Sequence, residues 1–371
     1  MSHCIMVGCD LHMKTMVLKY AVGRGVIQAR TFANDRPGRR NMVDWLQQLA
    51  RRRHRAPVLF AYEASSEGFG LYDELRGAGV ECYVLAPTKI ARSSKQVTGK
   101  NDGRDAQQLL ELLRGHALAA NSLPSVWVPD IQTRDDREGV RMRLDVADRR
   151  TVTKNQIQSL LKRNEVRRPA QTGKGWTNGY WGWLKELTSG QVEGLGQGGR
   201  AALSSLLRQM DMIDDEIATL DEQVLVLSLS PRYVEAVKGL RTIKGVGILS
   251  AMVFLTEVGD LNRFSNRRQL AAYLGLVPTS NESGERGDCK GHITRQGSSR
   301  VRKVLCQCTW SLIRTDPRFA QVYAALVDRN PKRRKIAVVA IMRRLAIIMW
   351  HRARDAGPPV DAGQRRPGAA A

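Results

Sequence analysis

Cysteine is scarce in this chain and is not arranged as in a disulfide scaffold or a zinc ribbon. None of the six cysteines among the 371 residues belongs to a Cys-x-x-Cys pair: Cys4, Cys9, Cys82, Cys289, Cys306 and Cys308. A chain of this length can stabilise a core without disulfides. We therefore expect reduced, mostly buried thiols and a cytosolic protein.

Long apolar runs are also missing. Asp10 and His12 interrupt the apolar N-terminus, so we expect no signal peptide. Arg343 and Arg344 divide the apolar stretch between residues 336 and 350, which predicts a buried or DNA-facing helix and not a membrane span. These features favour a cytoplasmic, nucleoid-associated bacterial protein that has no membrane partner.

Acidic residues are too few to balance the basic ones. The chain has 36 aspartates and glutamates against 59 lysines and arginines, a net charge of +23 and a pI of about 10.3. Hydrophobic residues make up 42% of the chain, so this charge belongs to a folded protein. Because phosphate neutralisation dominates non-specific affinity for nucleic acids, the charge predicts a nucleic-acid partner.

The first 135 residues alternate short apolar segments with amphipathic ones. Strands are predicted over 3–9, 15–22, 25–32, 57–62 and 80–85, and helices over 37–53, 69–77 and from about Asp102 to Arg114. Three strands in a row, then alternating helices and strands, indicate an α/β sheet with an antiparallel hairpin. This order suits an RNase H-like domain, and it also suits other mixed sheets.

Four acidic residues fall where such a fold would bring them together. Asp10 closes the first strand and Glu63 a later one, so in adjacent strands both carboxylates leave the same edge. Asp102 and Asp105 share a face at the start of a helix. Converging carboxylates repel unless cations neutralise them, and oxygen ligands suit one or two Mg²⁺ ions for phosphodiester chemistry. Taken singly, each acid could instead be a surface or helix-dipole residue.

Residues 136–232 predict a helical region with a coiled-coil seam. A helix is expected over 140–164. Apolar residues then alternate gaps of four and three: Leu206, Met210, Ile213, Ile217, Leu220, Val224 and Leu227. This seam could pair with helix 140–164 or with another subunit, and it favours an even-numbered homo-oligomer, a dimer or tetramer.

Aromatic residues cluster between the two predicted helices of this region. Trp176, Tyr180, Trp181 and Trp183 lie in a glycine-rich segment that also follows Arg167 and Arg168. Such aromatics either stack on nucleic-acid bases or pin a loop, and the sequence leaves both open.

Residues 233–355 are expected to form a mainly helical domain. Residues 242–248 (TIKGVGI) place a Gly-x-Gly turn ahead of a helix, which resembles a helix-hairpin-helix phosphate contact, although glycines also simply end helices. The segment from Arg329 to Arg354 contains nine arginines and lysines and no acid. The tail, residues 356–371, is predicted to be disordered.

The sequence resembles the IS-one-ten family of insertion-sequence transposases, the DEDD recombinases. The N-terminal stretches that carry the resemblance are GCDLH (8–12), YEASSEGFGLYDELRGAGVECYVLAP (62–87) and KNDGRDAQQLLELLR (100–114). The C-terminal ones are LRTIKGVG (240–247), GDLNRFSNRRQLAAYLGLVP (259–278) and SGERGDCKGHITRQG (283–297). Together they span almost the whole chain up to about residue 325.

The resemblance implies a RuvC-like domain, a coiled-coil insertion and a C-terminal transposase domain. It implies excision and insertion of a mobile element in double-stranded DNA, guided by an element-encoded RNA, with Asp10, Glu63, Asp102 and Asp105 as the acidic set. It also implies that Ser283 is a nucleophile that conserves the phosphodiester bond energy in a phosphoserine. Nearby cations would contact the nucleic acid: Lys244, Arg286, Lys290, Arg295, Arg300 and Lys303.

Two other interpretations stay open at this point. The chain could be a metal-dependent RuvC-like nuclease or junction resolvase in which Ser283-Gly284 is only a turn. It could also be a DNA- or RNA-binding protein without catalysis, in which the basic helices carry the whole function.

Overall fold

We describe the protein from a computed structural model that covers residues 4–90, 102–283 and 286–357, with Asp102 and residues 280–290 of these described by backbone alone. The chain divides into two compact units, Met1–Val128 and Pro129–Ala371. The boundary expected after residue 135 falls inside a helix that begins at Ile131. The predicted tail lies outside the described residues from 358 onward.

The first unit is built on a five-stranded mixed sheet in the order β3-β2-β1-β4-β5. The first three strands pair antiparallel, whereas β1, β4 and β5 pair parallel. Its elements are β1 (Ile5–Leu11), β2 (Thr15–Val22), β3 (Gln28–Ala33), α1 (Arg36–Arg52), β4 (Val58–Glu63), α2 (Gly70–Gly77), β5 (Glu81–Leu85) and α3 (Asp102–Ala119). This is the RNase H-like arrangement that the sequence predicted.

Helices cover both faces of this sheet. Met42 and Leu46 of α1, with Leu71 of α2, pack on the face formed by Val7 and Phe60. On the opposite face α3 packs through three buried leucines: Leu109, Leu110 and Leu113. Helix α1 starts where Asp35 accepts a hydrogen bond from the Gly38 backbone N–H at 2.7 Å, which satisfies one otherwise unpaired helix donor.

The second unit is mainly helical and contains one β-hairpin. Its elements are α4 (Ile131–Arg163), α5 (Asn178–Ser189), α6 (Gln197–Ser228), α7 (Val234–Arg241), α8 (Ile248–Val258), α9 (Arg267–Tyr273), β6 (Pro278–Ser283), β7 (Arg286–Ile293), α10 (Ser299–Thr315), α11 (Pro317–Val327) and α12 (Arg334–Asp355). The sequence did not predict the hairpin, because segment 278–293 lacks an alternating apolar pattern.

Helices α4 and α6 form an antiparallel pair within the chain. Arg143 is paired with Asp221, and Arg150, one heptad later, is paired with Asp214, one heptad earlier. The predicted seam of α6 therefore packs on α4. Helix α4 begins at Ile131, earlier than the predicted residue 140, because Asp130 caps it at 2.8 Å from the Thr133 N–H and its first turns are polar.

Two apolar cores hold the second unit. One joins α5 to the C-terminal end of α4 and the N-terminal end of α6. Leu160, Leu184 and Leu207 are among its buried residues. The other surrounds α8, whose residues from Ala251 to Val258 are all buried, and includes α12. Among the described helices, none is long and apolar enough to cross a membrane.

Candidate active site

Asp10, the penultimate residue of β1, and Glu63, the last residue of the parallel strand β4, lie at the same level. The register pairs Cys9 of β1 with Tyr62 of β4, one residue before each acid. Met6 and Ala61 are buried on the face that α3 covers. Because side chains alternate along a strand, the acids, at even spacing from these two residues, lie on that same face. Both are half-buried.

Helix α3 lies directly against β1 at Gly8. A Cβ atom built on Gly8 would lie 2.2 Å from the carbonyl oxygen of Ala106, so only glycine allows this approach. Near the end of α3, Arg114 donates to the Gly25 carbonyl at 2.6 Å, and Gly25 follows the end of β2 that pairs with the start of β1. The start of α3, where Asp102 and Asp105 lie, is therefore directed toward the end of β1 that carries Asp10.

His12 is a site residue that the sequence interpretation did not assign. Its Nε2 lies 3.1 Å from Oδ2 of Asp10, whose side chain is 19% exposed. Its position two residues after Asp10, at the end of the same strand segment, was the available signal. A ring nitrogen at this distance orients one carboxylate oxygen of Asp10.

The donor chemistry of the acidic set fits a hard divalent cation. Asp10, Glu63 and Asp105 offer carboxylate oxygens, which are the ligands that Mg²⁺ prefers. Within the described residues, no group of three or more His, Cys, Asp or Glu side chains is placed to hold a metal ion. The side chain of Asp102, the fourth predicted ligand, lies outside that description.

Ser283 is the last residue of β6, at the tip of the hairpin. The backbone pairs Ser283 with Arg286 and Ser280 with Lys290, with irregular register between these pairs. The side chains of Ser283, Arg286 and Lys290 lie outside the described residues. The backbone thus places the predicted nucleophile and two predicted cations on one hairpin.

Two close backbone approaches anchor the base of this hairpin. A Cβ atom on Gly297 would lie 2.0 Å from the Tyr273 carbonyl oxygen. Gly275 has φ +67°, and a Cβ there would lie 2.7 Å from the Gln296 nitrogen. Arg302 also donates to the Gly297 carbonyl at 2.6 Å. The strands that carry Ser283 therefore start from a tightly packed base.

A buried carboxylate joins the helices behind this base. Glu257 of α8 accepts hydrogen bonds from Arg141 Nε at 2.6 Å and Nη2 at 3.2 Å. Burial alone would raise the pKa of Glu257, but the hydrogen bond and charge of Arg141, with the charge of Arg137, lower it below its ordinary value. A hydrogen bond with Ser298, the N-cap of α10, acts in the same direction. No sequence pattern indicated this network, because its members come from distant segments.

The predicted nucleic-acid-binding cations have different surroundings. Arg300 is paired with Asp145 at 2.9 Å, and Lys303 is paired with Asp148, both acids on α4. Lys244 donates to the Thr315 carbonyl at 3.3 Å. Arg295 is exposed, and its backbone is in the left-handed region, with φ 55°. Arg300 and Lys303 thus connect α10 to α4, and their binding to nucleic acid stays a prediction.

The Gly-x-Gly turn between α7 and α8 packs against α10. Gly245 has φ +83°, and a Cβ there would lie 3.0 Å from the Cys308 carbonyl oxygen and 2.9 Å from Cβ of Ser311. This close approach by itself explains why glycine occupies position 245. The two helices joined by a tight turn have the order of a helix-hairpin-helix, and phosphate contact there stays a prediction.

A second basic surface covers the connection between α11 and α12 and the first residues of α12. Five cations lie within seven exposed residues: Arg329, Lys332, Arg333, Arg334 and Lys335. Among the described ion pairs, only one involves this turn, between Arg333 and Asp328 at 3.6 Å. We call these five residues the basic turn. The sequence signal was the acid-free run from Arg329 to Arg354, although the rest of that run lies in α12, which buries nine of its 22 residues.

A mixed sheet of this strand order, with acids near the ends of the adjacent strands β1 and β4, defines an RNase H-like nucleic-acid-processing unit. Two family models match the chain: the DEDD transposase model over residues 7–164 and the "Transposase IS116/IS110/IS902 family" model over residues 237–324. The chain belongs to this IS110 family of transposases, which confirms the family that its motifs indicated.

Relatives agree with this assignment. A transposase-named protein of Sinorhizobium fredii is 32% identical over 81% of this chain and 76% of its own length. The "Transposase for insertion sequence element IS1533" of Leptospira borgpetersenii is 23% identical over 96% of this chain and 98% of its own. Among solved structures, a Thermus thermophilus RuvC in complex with Holliday junction substrate is 12% identical over 32% of this chain and 95% of its own, at TM-score 0.24.

Proposed function

We propose that this transposase excises and inserts an insertion sequence by cleaving and rejoining double-stranded DNA. The observation that carries the proposal is the placement of Asp10 and Glu63 on the sheet face that α3 covers, with α3 beginning at Asp102. Its family membership and its net charge of +23 support a DNA substrate.

Asp10, Glu63, Asp102 and Asp105 would hold one or two Mg²⁺ ions. Bound Mg²⁺ would supply positive charge at the reacting phosphate, which carboxylates alone would repel. The position of the carboxylates determines the edge of the sheet at which a phosphate would bind. His12 holds one oxygen of Asp10 in place, which supports a defined orientation of that side chain.

Ser283 would be the nucleophile. Its Oγ forms a bond to the scissile phosphorus, and the bond from phosphorus to one DNA oxygen breaks. The serine proton is lost, and the released DNA oxygen gains a proton. Attack by a second DNA hydroxyl then releases Ser283 and restores a phosphodiester, so no bond energy is lost to water. The hairpin position opposite Arg286 supports this role, because a cation there would stabilise the charged phosphate.

An element-encoded guide RNA and a homo-oligomer complete the proposal. The excess positive charge of the basic turn lies outside the acidic set and offers a further phosphate-binding surface. Cutting two duplexes requires an even number of active sites, which favours a dimer or tetramer. The helix-hairpin-helix turn and a coiled-coil pairing of α4 with α6 belong to the same proposal.

The experiment that tests the metal-dependent function is an element-excision assay with purified protein, DNA, the element-encoded RNA and Mg²⁺. Asp10→Asn and Asp105→Asn should each lower the rate by more than about a hundredfold, since even indirect partners of metal ligands change activity by about 10–100-fold. DNA affinity should persist. Asp44→Asn, an exposed acid of α1, is the matched control and should keep full activity. Full excision activity of both site variants would contradict a catalytic role for the acidic set.

A further inference from the structure

An open cavity of about 670 Å³ lies at the C-terminal end of α4, next to α5. Its lining comes from the last turns of α4, the segment that follows it, and α5: Gln158, Leu161, Lys162, Glu165, Val166, Arg167, Arg168 and Tyr180. A volume of this size is in the range of small-ligand pockets. These elements carry none of the proposed catalytic residues.

Arg168 is held in a fixed orientation inside this cavity. Its guanidinium carbon lies 3.8 Å from the centre of the Tyr180 ring. Its Nε donates to Thr172 Oγ1 at 2.8 Å, and its Nη2 donates to the Thr172 carbonyl at 3.2 Å. One face of the guanidinium therefore lies against the aromatic ring, and the other face is turned away from it.

An aromatic cluster supports this arrangement from below. The ring of Tyr180 lies 5.1 Å from Trp176 at a steep angle and 5.6 Å from Trp183 in a stacked arrangement. Tyr180 and Trp183 are buried, so packing fixes the position of their rings. The aromatics thus pin the loop, and through Arg168 they also prepare a flat cationic surface.

The charges around the cavity are mostly cationic and include two exposed cations without an ion pair in the described part of the chain. Arg143, Arg150 and Arg141 are each paired with an acid of another helix. In the part of the chain that the structure describes, no ion pair involves Lys162 or Arg167, and both are exposed. Glu165 is the one acid of the lining, against three cations. An anionic ligand would balance this excess.

We propose that this cavity binds one unpaired nucleotide of a single-stranded nucleic-acid segment. The base stacks on the face of the Arg168 guanidinium that is turned away from Tyr180, and the adjoining phosphates pair with Lys162 and Arg167. Guanidinium planes are established stacking surfaces for unstacked bases, and a duplex cannot present a base in this way. The inference rests on the proposed function only in that the ligand is a nucleic acid.

The test is the affinity of the full chain for short labelled single strands, measured by fluorescence anisotropy. Lys162→Ala combined with Arg167→Ala should weaken binding by roughly tenfold, and Lys185→Ala, an exposed cation of α5, should not. Arg168→Lys keeps the charge but loses the plane, and should weaken binding by a similar factor. In a set of single strands that each lack one base at a different position, the strand that lacks the stacked base should lose affinity by a similar factor.

RNA and DNA strands form the two arms of this test. Tighter binding of RNA identifies the guide as the source of the nucleotide, and tighter binding of DNA identifies a displaced DNA strand. The proposal is overturned if the double variant and Lys185→Ala bind equally well, or if Arg168→Lys binds like the unchanged protein. Because binding is measured without catalysis, inactive chemistry would leave this result unaffected.

Discussion

Gly8 and Ala106 are in direct backbone contact between β1 and α3. A Cβ on Gly8 would lie 2.2 Å from the Ala106 carbonyl oxygen and 2.4 Å from the Leu110 nitrogen. The contact brings the helix that begins with Asp102 onto the strand that carries Asp10. The proposed acidic site therefore depends on a residue that has no side chain.

Gly8→Val should separate α3 from β1. Overpacking a buried contact costs about 1–3 kcal/mol or more, and here the opposing atoms belong to backbone that cannot rotate away. We expect a lower melting temperature and a larger proportional loss of DNA cleavage. Gly77→Ala, at a glycine with nothing within 4 Å of an added Cβ, is the control and should change neither. Wild-type cleavage by Gly8→Val would contradict this role of the contact.

Glu257→Gln should destabilise the second unit by about 3 kcal/mol, the lower end of the range for breaking a buried ion pair. Glu257 is 6% exposed and paired with Arg141. Glu138→Gln is the matched control, because Glu138 lies 3.7 Å from the same arginine but is 75% exposed. Chemical denaturation of the three proteins at neutral pH measures the difference.

The same carboxylate predicts a pH dependence. Because the pKa of Glu257 is lowered in the folded protein, the unfolded chain binds its proton more readily. Its stabilising contribution is therefore complete above the unfolded pKa of about 4.3 and declines as the pH falls through the folded pKa. The difference in unfolding free energy between wild type and Glu257→Gln should shrink below about pH 4. A constant difference across this range would contradict a stabilising ion pair at Glu257.

Met210→Ala should destabilise the pair of α4 and α6, whereas Met212→Ala should not. Met210 is fully buried and Met212 is 72% exposed on the same helix. Truncating a buried methionine costs about 2–5 kcal/mol. Since the seam packs on α4 of the same chain, the Met210→Ala loss should not depend on protein concentration. A concentration-dependent loss would place the seam between subunits.

Neutralising the basic turn should lower the salt dependence of duplex binding. Combined alanine replacement of Arg329, Lys332 and Arg334 should reduce the slope of log affinity against log salt by about 2–3, since each DNA phosphate that a cation neutralises contributes about 0.9 to the slope. Lys238→Ala is the control, because Lys238 is exposed but paired with Glu235 at 2.7 Å. An unchanged slope in the triple variant would exclude the turn from the DNA interface.

The sequence predicted those parts of the fold that rest on local patterns. The strand ends at Asp10 and Glu63 were visible because apolar segments stop there, and the start of α3 was visible from its two spaced acids. The seam of α6 was visible from its heptads, but the sequence left open whether it pairs with helix 140–164 or with another subunit. The apolar pattern of one helix does not say which helix covers it.

Features that depend on distant segments escaped the sequence. The pairing of Arg300 with Asp145 joins residues that are 155 positions apart. The β6–β7 hairpin has no apolar alternation, and its base is fixed by Gly275 and Gly297 against backbone from neighbouring segments. Such contacts follow from tertiary packing, which composition and periodicity do not encode.

The most direct test of the proposed chemistry is the covalent adduct between the chain and DNA. Wild-type protein should form a denaturant-resistant adduct on a cleavable substrate in the presence of Mg²⁺, and mass spectrometry should place the phosphate on Ser283. Ser283→Ala should form neither adduct nor strand-transfer product, whereas Ser280→Ala should form both. Strand transfer by Ser283→Ala at the wild-type rate would contradict the serine mechanism and leave a metal-dependent nuclease without serine chemistry.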